Sequence, residues 1–198
     1  RRGPPGRAAK ARAPALSGTG KARPQVLCRR GAPAAWPYAG NPATMAGMID
    51  SPADERPVYQ AACHCGTVRF SLRLTDGLRT VRRCNCSYCR MRGAVAVSAN
   101  LSDLTVTQGR DALTLYQFNT GEAKHYFCSR CGIYTFHQRR SSPDQYGINV
   151  ACIEGMSPFD FDKVPVSEGR VHPKDRPGGA SNVAGWILYQ ANPEAGGD

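Results

Sequence analysis

Seven of the nine cysteines fall in three short clusters, Cys63-His-Cys65, Cys84-Asn-Cys86-Ser-Tyr-Cys89 and Cys128-Ser-Arg-Cys131, separated by 18 and 38 residues. An odd number of closely spaced thiols with no export signal argues against a secreted disulfide framework. It argues for metal. A C-x-x-C run closed by glycine is a knuckle whose tight turn aims both sulfurs at one point, and zinc takes four such ligands in a tetrahedron. Cys128-x-x-Cys131-Gly132 has that form, and Cys63-x-Cys65-Gly66 ends in the same way. Ligand counting divides the seven thiolates into four and three. Cys63, Cys65, Cys128 and Cys131 close one structural zinc site, stapling an early turn to a late one. Cys84, Cys86 and Cys89 offer three ligands and an open fourth position, the way catalytic zinc is held. The expectation is two Zn²⁺ per chain. Two alternatives stay open: His64, His125 or His137 closes the second site too, or one zinc binds and thiols are left over. Cys28 and Cys152 stand apart and read as plain thiols.

Three thiolates put much negative charge on a metal and weaken it as a Lewis acid. Such a site suits a soft fourth ligand, a substrate thiol, which it would hold as thiolate and so as nucleophile. An aldehyde carbonyl beside it would then be attacked to give a hemithioacetal.

The elements that must position these clusters are strands. Val68, Phe70, Leu72 and Leu74 alternate with Arg69, Ser71 and Arg73, the period of two of a half-buried strand. Further strands are expected at Val95–Val97, Leu104–Val106, Leu113–Phe118, Lys124–Phe127, Ile133–Phe136, Tyr146–Val150 and Val183–Tyr189. Turn signals at Asp76-Gly77, Gln108-Gly109 and Asn119 to Gly121 separate them, which predicts a mainly β sandwich or barrel. Ser157 to Gly179 carries Pro158, Pro165, Pro173 and Pro177 and reads as a long surface excursion.

The net charge of +11 on 198 residues is unevenly spread. Residues 1–44 hold nine Arg or Lys and no acidic residue, whereas residues 45–198 hold 17 basic and 15 acidic ones. The charge is thus a poor argument for nucleic-acid binding by the folded part. With 11 Ala, 7 Pro and 6 Gly, residues 1–44 cannot offset ordering entropy, and 1–56 is expected to be a disordered basic extension ahead of a domain at 57–198. Three readings of it remain: an extension outside the working protein, with Met45 and Met48 where composition turns ordinary; a targeting segment; or a basic arm. No apolar run approaches the ~20 residues of a membrane span. Reduced thiols favour a cytoplasmic location.

The motifs C63HCGTVRF70, C84NCSYCRMRGA94, L113TLYQFNTGEAKHYFCSRCGIYTFH137 and Y146GINV150 resemble the family of glutathione-dependent formaldehyde-activating enzymes, which includes centromere protein V. The resemblance runs from about Tyr59 to about Ile153 and continues more weakly towards His172. It implies a zinc-bearing β-tent fold, with one zinc on Cys63, Cys65, Cys128 and Cys131 and a second on Cys84, Cys86 and Cys89. It also implies a carbon–sulfur lyase that condenses formaldehyde with glutathione to S-hydroxymethylglutathione. Glutathione carries two carboxylates, so Arg90 and Arg92 are candidate contacts. Asn85 and Ser87 are candidate donors to the ligand sulfurs, and His137 and Asn149 candidate pocket residues. The competing functions are a zinc-stabilised binding module without catalysis and a thiol-redox or metal-handling protein.

Overall fold

The computed structural model describes residues 55–179 and 182–192. The expectations for residues 1–54, and for Cys28 among them, lie outside the described residues. Eleven strands occur there in chain order: β1 (Val58–Ala62), β2 (Arg69–Arg73), β3 (Arg83–Cys84), β4 (Ala96–Asn100), β5 (Leu104–Gln108), β6 (Leu113–Tyr116), β7 (Lys124–Cys128), β8 (Tyr134–Gln138), β9 (Gln145–Asn149), β10 (Lys163–Ser167) and β11 (Val183–Leu188). One short helix, α1 (Cys89–Arg92), follows β3 and ends on Gly93, whose left-handed φ of 73° suits glycine.

These strands form three sheets, ordered β1-β2-β5, β11-β10-β3 and β4-β9-β8-β7-β6. Pairing is antiparallel throughout except between β10 and β3, where Val166 and Ser167 lie beside Arg83 and Cys84. The mainly β, antiparallel expectation is met. Alternation on β2 works as the sequence predicts: Phe70 and Leu72 are buried while Arg69 is exposed. Phe70 meets Phe136 of β8 edge-on at 5.2 Å, so the first sheet closes over the five-stranded one. Val68, Val97, Ile148 and Val150 fill the space between them, each fully buried. Burial of such a side chain contributes about 1.5–3 kcal/mol.

One expectation needs correction. The proline-rich stretch after Ser157 is not all loop, because β10 runs through it with Val164 buried. Pro165 is tolerated there because β3 pairs with β10 only from Val166 onward, so no ladder on that side needs its missing N–H. That pairing brings residues 167–175 across the face of the second cysteine cluster. Among the described residues, no helix is long and apolar enough to cross a membrane.

Candidate functional site

Cys63 leaves β1 and Cys128 ends β7, and each opens a tight knuckle. In the first, the Gly66 N–H donates to the Cys63 carbonyl at 2.9 Å and the Val68 N–H to Cys63 Sγ at 3.3 Å. In the second, the Gly132 N–H donates to the Cys128 carbonyl at 2.8 Å and the Arg130 N–H to Cys128 Sγ at 3.4 Å. Gly66 and Gly132 both take φ above 70°, as the closing residue of each turn must. The two knuckles meet. The Cys63, Cys65, Cys128 and Cys131 sulfurs all lie within 4.8 Å of one another. The Cys63–Cys65 and Cys65–Cys128 separations are 3.6 and 3.8 Å. A disulfide would need about 2.05 Å, whereas a tetrahedron with metal–sulfur bonds of about 2.3 Å has edges of about 3.8 Å. The donor set therefore fits zinc. Burial pushes Cys63 up to about 12. Burial also pushes on Cys65, but hydrogen bonding to Thr67, whose Oγ1 is 3.1 Å from the sulfur, together with Cys63 and Cys131, outweighs it and draws Cys65 down to about 6.

The second cluster is built on the turn from β3 into α1. The Cys86 N–H donates to Cys84 Sγ at 3.4 Å and the Cys89 N–H to Cys86 Sγ at 3.3 Å, which points three half-buried sulfurs inward. Among the described residues, the group with ligand atoms all within 4.8 Å of one another holds Cys84, Cys86 and Cys89 and no imidazole. Cys86 is drawn down to about 2, first by hydrogen bonding with Cys84 and then with Cys89, while Cys84 is pushed up first by its contact with Cys86, and Cys89 first by its contact with Cys84 and then with Cys86. Three converging thiols that already stabilise a thiolate fit a divalent metal with one position left over.

Around these sulfurs lies a cavity of about 590 Å³, within the range of small-molecule sites. Arg92 and not Arg90 reaches into it: Arg90 is exposed, while Arg92 lies with Cζ 3.6 Å from the Tyr134 ring centroid. Its Nη1 donates to His125 Nδ1 at 3.2 Å and its Nη2 to Cys89 Sγ at 3.5 Å. His125 and His137 are register partners on β7 and β8, and their rings stack at 4.9 Å. Tyr134 Oη donates to the Gly147 carbonyl at 2.8 Å and lies 2.6 Å from His137 Nδ1. A strand would ordinarily put residues three apart on opposite faces. Here Phe127 pairs with Tyr134 and Tyr126 with Phe136, so Thr135 is an extra residue, and this bulge brings Tyr134 and His137 to one side.

That network assigns the tautomers. His125 Nδ1 accepts from a guanidinium, so its proton is on Nε2; the Tyr134 hydroxyl proton is spent on Gly147, so His137 donates from Nδ1 and keeps a lone pair on Nε2. Both rings line the cavity beside the thiols. Burial, then Arg92, pulls His125 down to about 4 and holds His137 well below its ordinary value. The site thus holds a neutral donor and a neutral acceptor side by side.

The other candidates fall elsewhere. His64 is exposed beside the first cluster and joins no ligand group. Asn85 donates to no sulfur; its Oδ1 accepts the Gly169 N–H at 2.6 Å and ties the 167–175 wall to the cysteine turn. Ser87 is exposed. Asn149 lines a second cavity, of about 570 Å³, with Arg92 and Tyr134, and supports the fold by donating to the Tyr134 carbonyl at 2.8 Å and accepting from Ala151. Cys152 is buried, with no partner thiol among the described residues. Sequence reasoning missed Arg82, Tyr134 and Arg139. Only the first carried a signal, as part of an Arg-Arg pair directly before Cys84.

The model of the family described as glutathione-dependent formaldehyde-activating enzyme matches residues 58–163, over half of the chain and all seven clustered cysteines. The chain belongs to that family. It is also similar to a Rhodobacter sphaeroides protein whose crystal structure was solved as a structural-genomics target. The two share 55% identity with a TM-score of 0.53, over 54% of this chain and 98% of that one. In this glutathione-dependent formaldehyde-activating family member, the cavity wall at residues 167–175 lies outside the matched span.

Proposed function

We propose that the chain is a zinc-dependent carbon–sulfur lyase-type enzyme. It condenses a small aldehyde such as formaldehyde with a thiol such as glutathione, RSH + H₂C=O giving RS–CH₂–OH. The observation that carries this is the contrast between two thiol groups in one chain: four sulfurs close on themselves, and three open into a cavity beside two neutral imidazoles. Cys63, Cys65, Cys128 and Cys131 would hold a structural zinc, and Cys84, Cys86 and Cys89 a catalytic one. When bound there, the metal supplies a soft position that favours the thiolate of an incoming thiol. The chain's own residues do the rest. The His137 Nε2 lone pair accepts the thiol proton, and the His125 Nε2–H faces the oxygen that gains charge as the carbon–sulfur bond forms. Arg92 fixes the His125 tautomer, and Tyr134 fixes that of His137. Activity in this reading survives removal of residues 1–44.

The test is zinc per chain, before and after dialysis against excess glutathione, followed by an assay with formaldehyde and glutathione. Two zinc ions, one of them disturbed by glutathione, together with product formation support the reading. One zinc, or two indifferent to glutathione, sinks it.

A further inference from the structure

Besides Arg83 and the Arg92 already described, the Arg and Lys side chains around the cavity fall into two sets. Those at its outer lip are neutralised. Arg140 grips both Asp175 oxygens at 2.7 Å and Glu122 at 2.8 Å. Arg170 pairs with Glu168 at 2.6 Å, and Lys174 lies 3.5 Å from Glu122. Those on the inner wall are not. Arg82 Nη1 donates to the Thr80 carbonyl at 2.7 Å and to Ser98 Oγ at 3.1 Å. Arg139 Nη1 donates to the same Ser98 Oγ at 3.4 Å and to Gln145 Oε1 at 2.8 Å. Among the described residues, no carboxylate lies within 4.0 Å of either guanidinium. Two acids act on the pair from beyond contact: Asp144 on Arg139, and Asp76, engaged by the Thr80 hydroxyl at 3.0 Å, on both. Arg82 Nη2 is buried and has no hydrogen-bond partner.

Two like charges thus converge on one neutral serine oxygen, with a donor to spare. Buried charge without a counter-ion in contact is costly, and folds keep it where something else supplies the opposite sign. Both side chains line the cavity and stand on rigid backbone. Arg82 is bridged to Ala96 of β4 by two hydrogen bonds of 2.8–2.9 Å, and the Arg139 N–H donates to the Gln145 carbonyl at 3.1 Å. A planar pair of anionic oxygens matches forked guanidinium donors.

We propose that Arg82 and Arg139 form an anion pocket in the inner wall, and that it receives a carboxylate of the thiol substrate. The second half rests on the proposed function; the pocket itself does not. The enzyme so built selects thiols that carry a carboxylate arm over simple alkyl thiols.

Calorimetric titration of the zinc-loaded full chain tests this with four probes: glutathione, its diethyl ester, S-methylglutathione and inorganic phosphate. The ester keeps the thiol and loses both carboxylates; the methylated compound does the reverse. Arg139→Gln should weaken glutathione and S-methylglutathione by about 10- to 100-fold each, the loss of a charged hydrogen-bond pair. The diester should bind the unmodified chain more weakly by a similar factor and be indifferent to Arg139→Gln. Arg82→Gln should act alike, and if it does not fold, the diester comparison on the unmodified chain still decides. A diester that binds as tightly as glutathione overturns the proposal, as does an S-methylglutathione that fails to bind. Phosphate that binds in an Arg139-dependent way where S-methylglutathione does not overturns the carboxylate assignment. Arg139-dependent S-methylglutathione binding, with the metal indifferent to glutathione, upholds the pocket and removes the thiol–zinc reading.

Discussion

Gly169→Ala isolates the second cysteine cluster without touching a ligand. A Cβ at residue 169 would sit 2.5 Å from Cys84 Sγ, 3.0 Å from Cys86 Cβ and 3.2 Å from the Cys86 nitrogen. Ordinary contact begins at 3.4 Å, so the sulfur or the wall must yield by about 0.9 Å. The wall is tied down by the 2.6 Å bond from the Gly169 N–H to Asn85 and by the pairing of Ser167 with Cys84. The sulfur therefore moves. A metal site tolerates errors of about 0.2 Å in its ligand distances, so the displacement is several times too large. We expect the affinity of the second zinc to fall about 10- to 100-fold, with overpacking costing about 1–3 kcal/mol of stability. The first four sulfurs, held by other turns, should keep their zinc. Competition with a graded series of chelators, read as zinc per chain, measures both. Two zincs retained at unaltered affinity would refute the steric reasoning, and loss of both together would refute the independence of the two sites.

Cys128→Ser and Cys86→Ser should behave differently. The former should unfold or aggregate the domain, because structural zinc contributes to folding directly; the latter should spare the circular-dichroism spectrum and melting while abolishing product formation. Equal behaviour would dissolve the division of roles. Tyr134→Phe leaves the Gly147 carbonyl and His137 without the hydroxyl that joins them, which should cost about 1–3 kcal/mol. Long-range ¹H–¹⁵N NMR should then show His137 losing its single tautomer while His125 keeps its own; an unchanged His137 pattern would contradict the assignment. His125 should remain neutral down to about pH 4. An unfolded histidine takes up a proton near pH 6.5, so this residue's contribution to stability is present above that value and lost as pH falls towards 4. A His125→Gln chain should accordingly show a shallower fall in melting temperature between pH 6.5 and 4.5, and parallel curves would remove His125 as a cause.

The two cysteine groups were legible because their pattern is local. A knuckle is written in five or six consecutive residues, and the division into four and three followed from counting. The strands with bulky alternation, such as Phe70 and Leu72 on β2, were equally plain. Those that escaped lacked that signal. In β1 the only buried position is Ala61, β3 has two residues, and β10 carries Pro165. The rest of the site is not local at all. Tyr134 and His137 share a side only because Thr135 bulges, and Arg82 and Arg139 meet over Ser98 only once β4, β8 and β9 are assembled. Arg90 and Arg92 show the limit from the other direction: two residues apart on a single turn of helix, one faces solvent and the other the thiols.

The cavity has two origins along the chain. Its floor, the cysteine turn and the paired imidazoles, lies inside the stretch shared with the family; its rim, from Ser167 to Asp175, lies beyond it. Floor and rim are joined at both ends: Asn85 bonds Gly169 and β3 pairs with β10 at one, and Arg140 grips Asp175 at the other. The rim can therefore change charge at an exposed position such as Arg170, while Gly169, packed against Cys84 Sγ, stays fixed. A change of charge at exposed Arg170 or Lys174 should alter how fast anionic thiols enter without moving either metal, whereas the choice of thiol stays with Arg82 and Arg139 beneath.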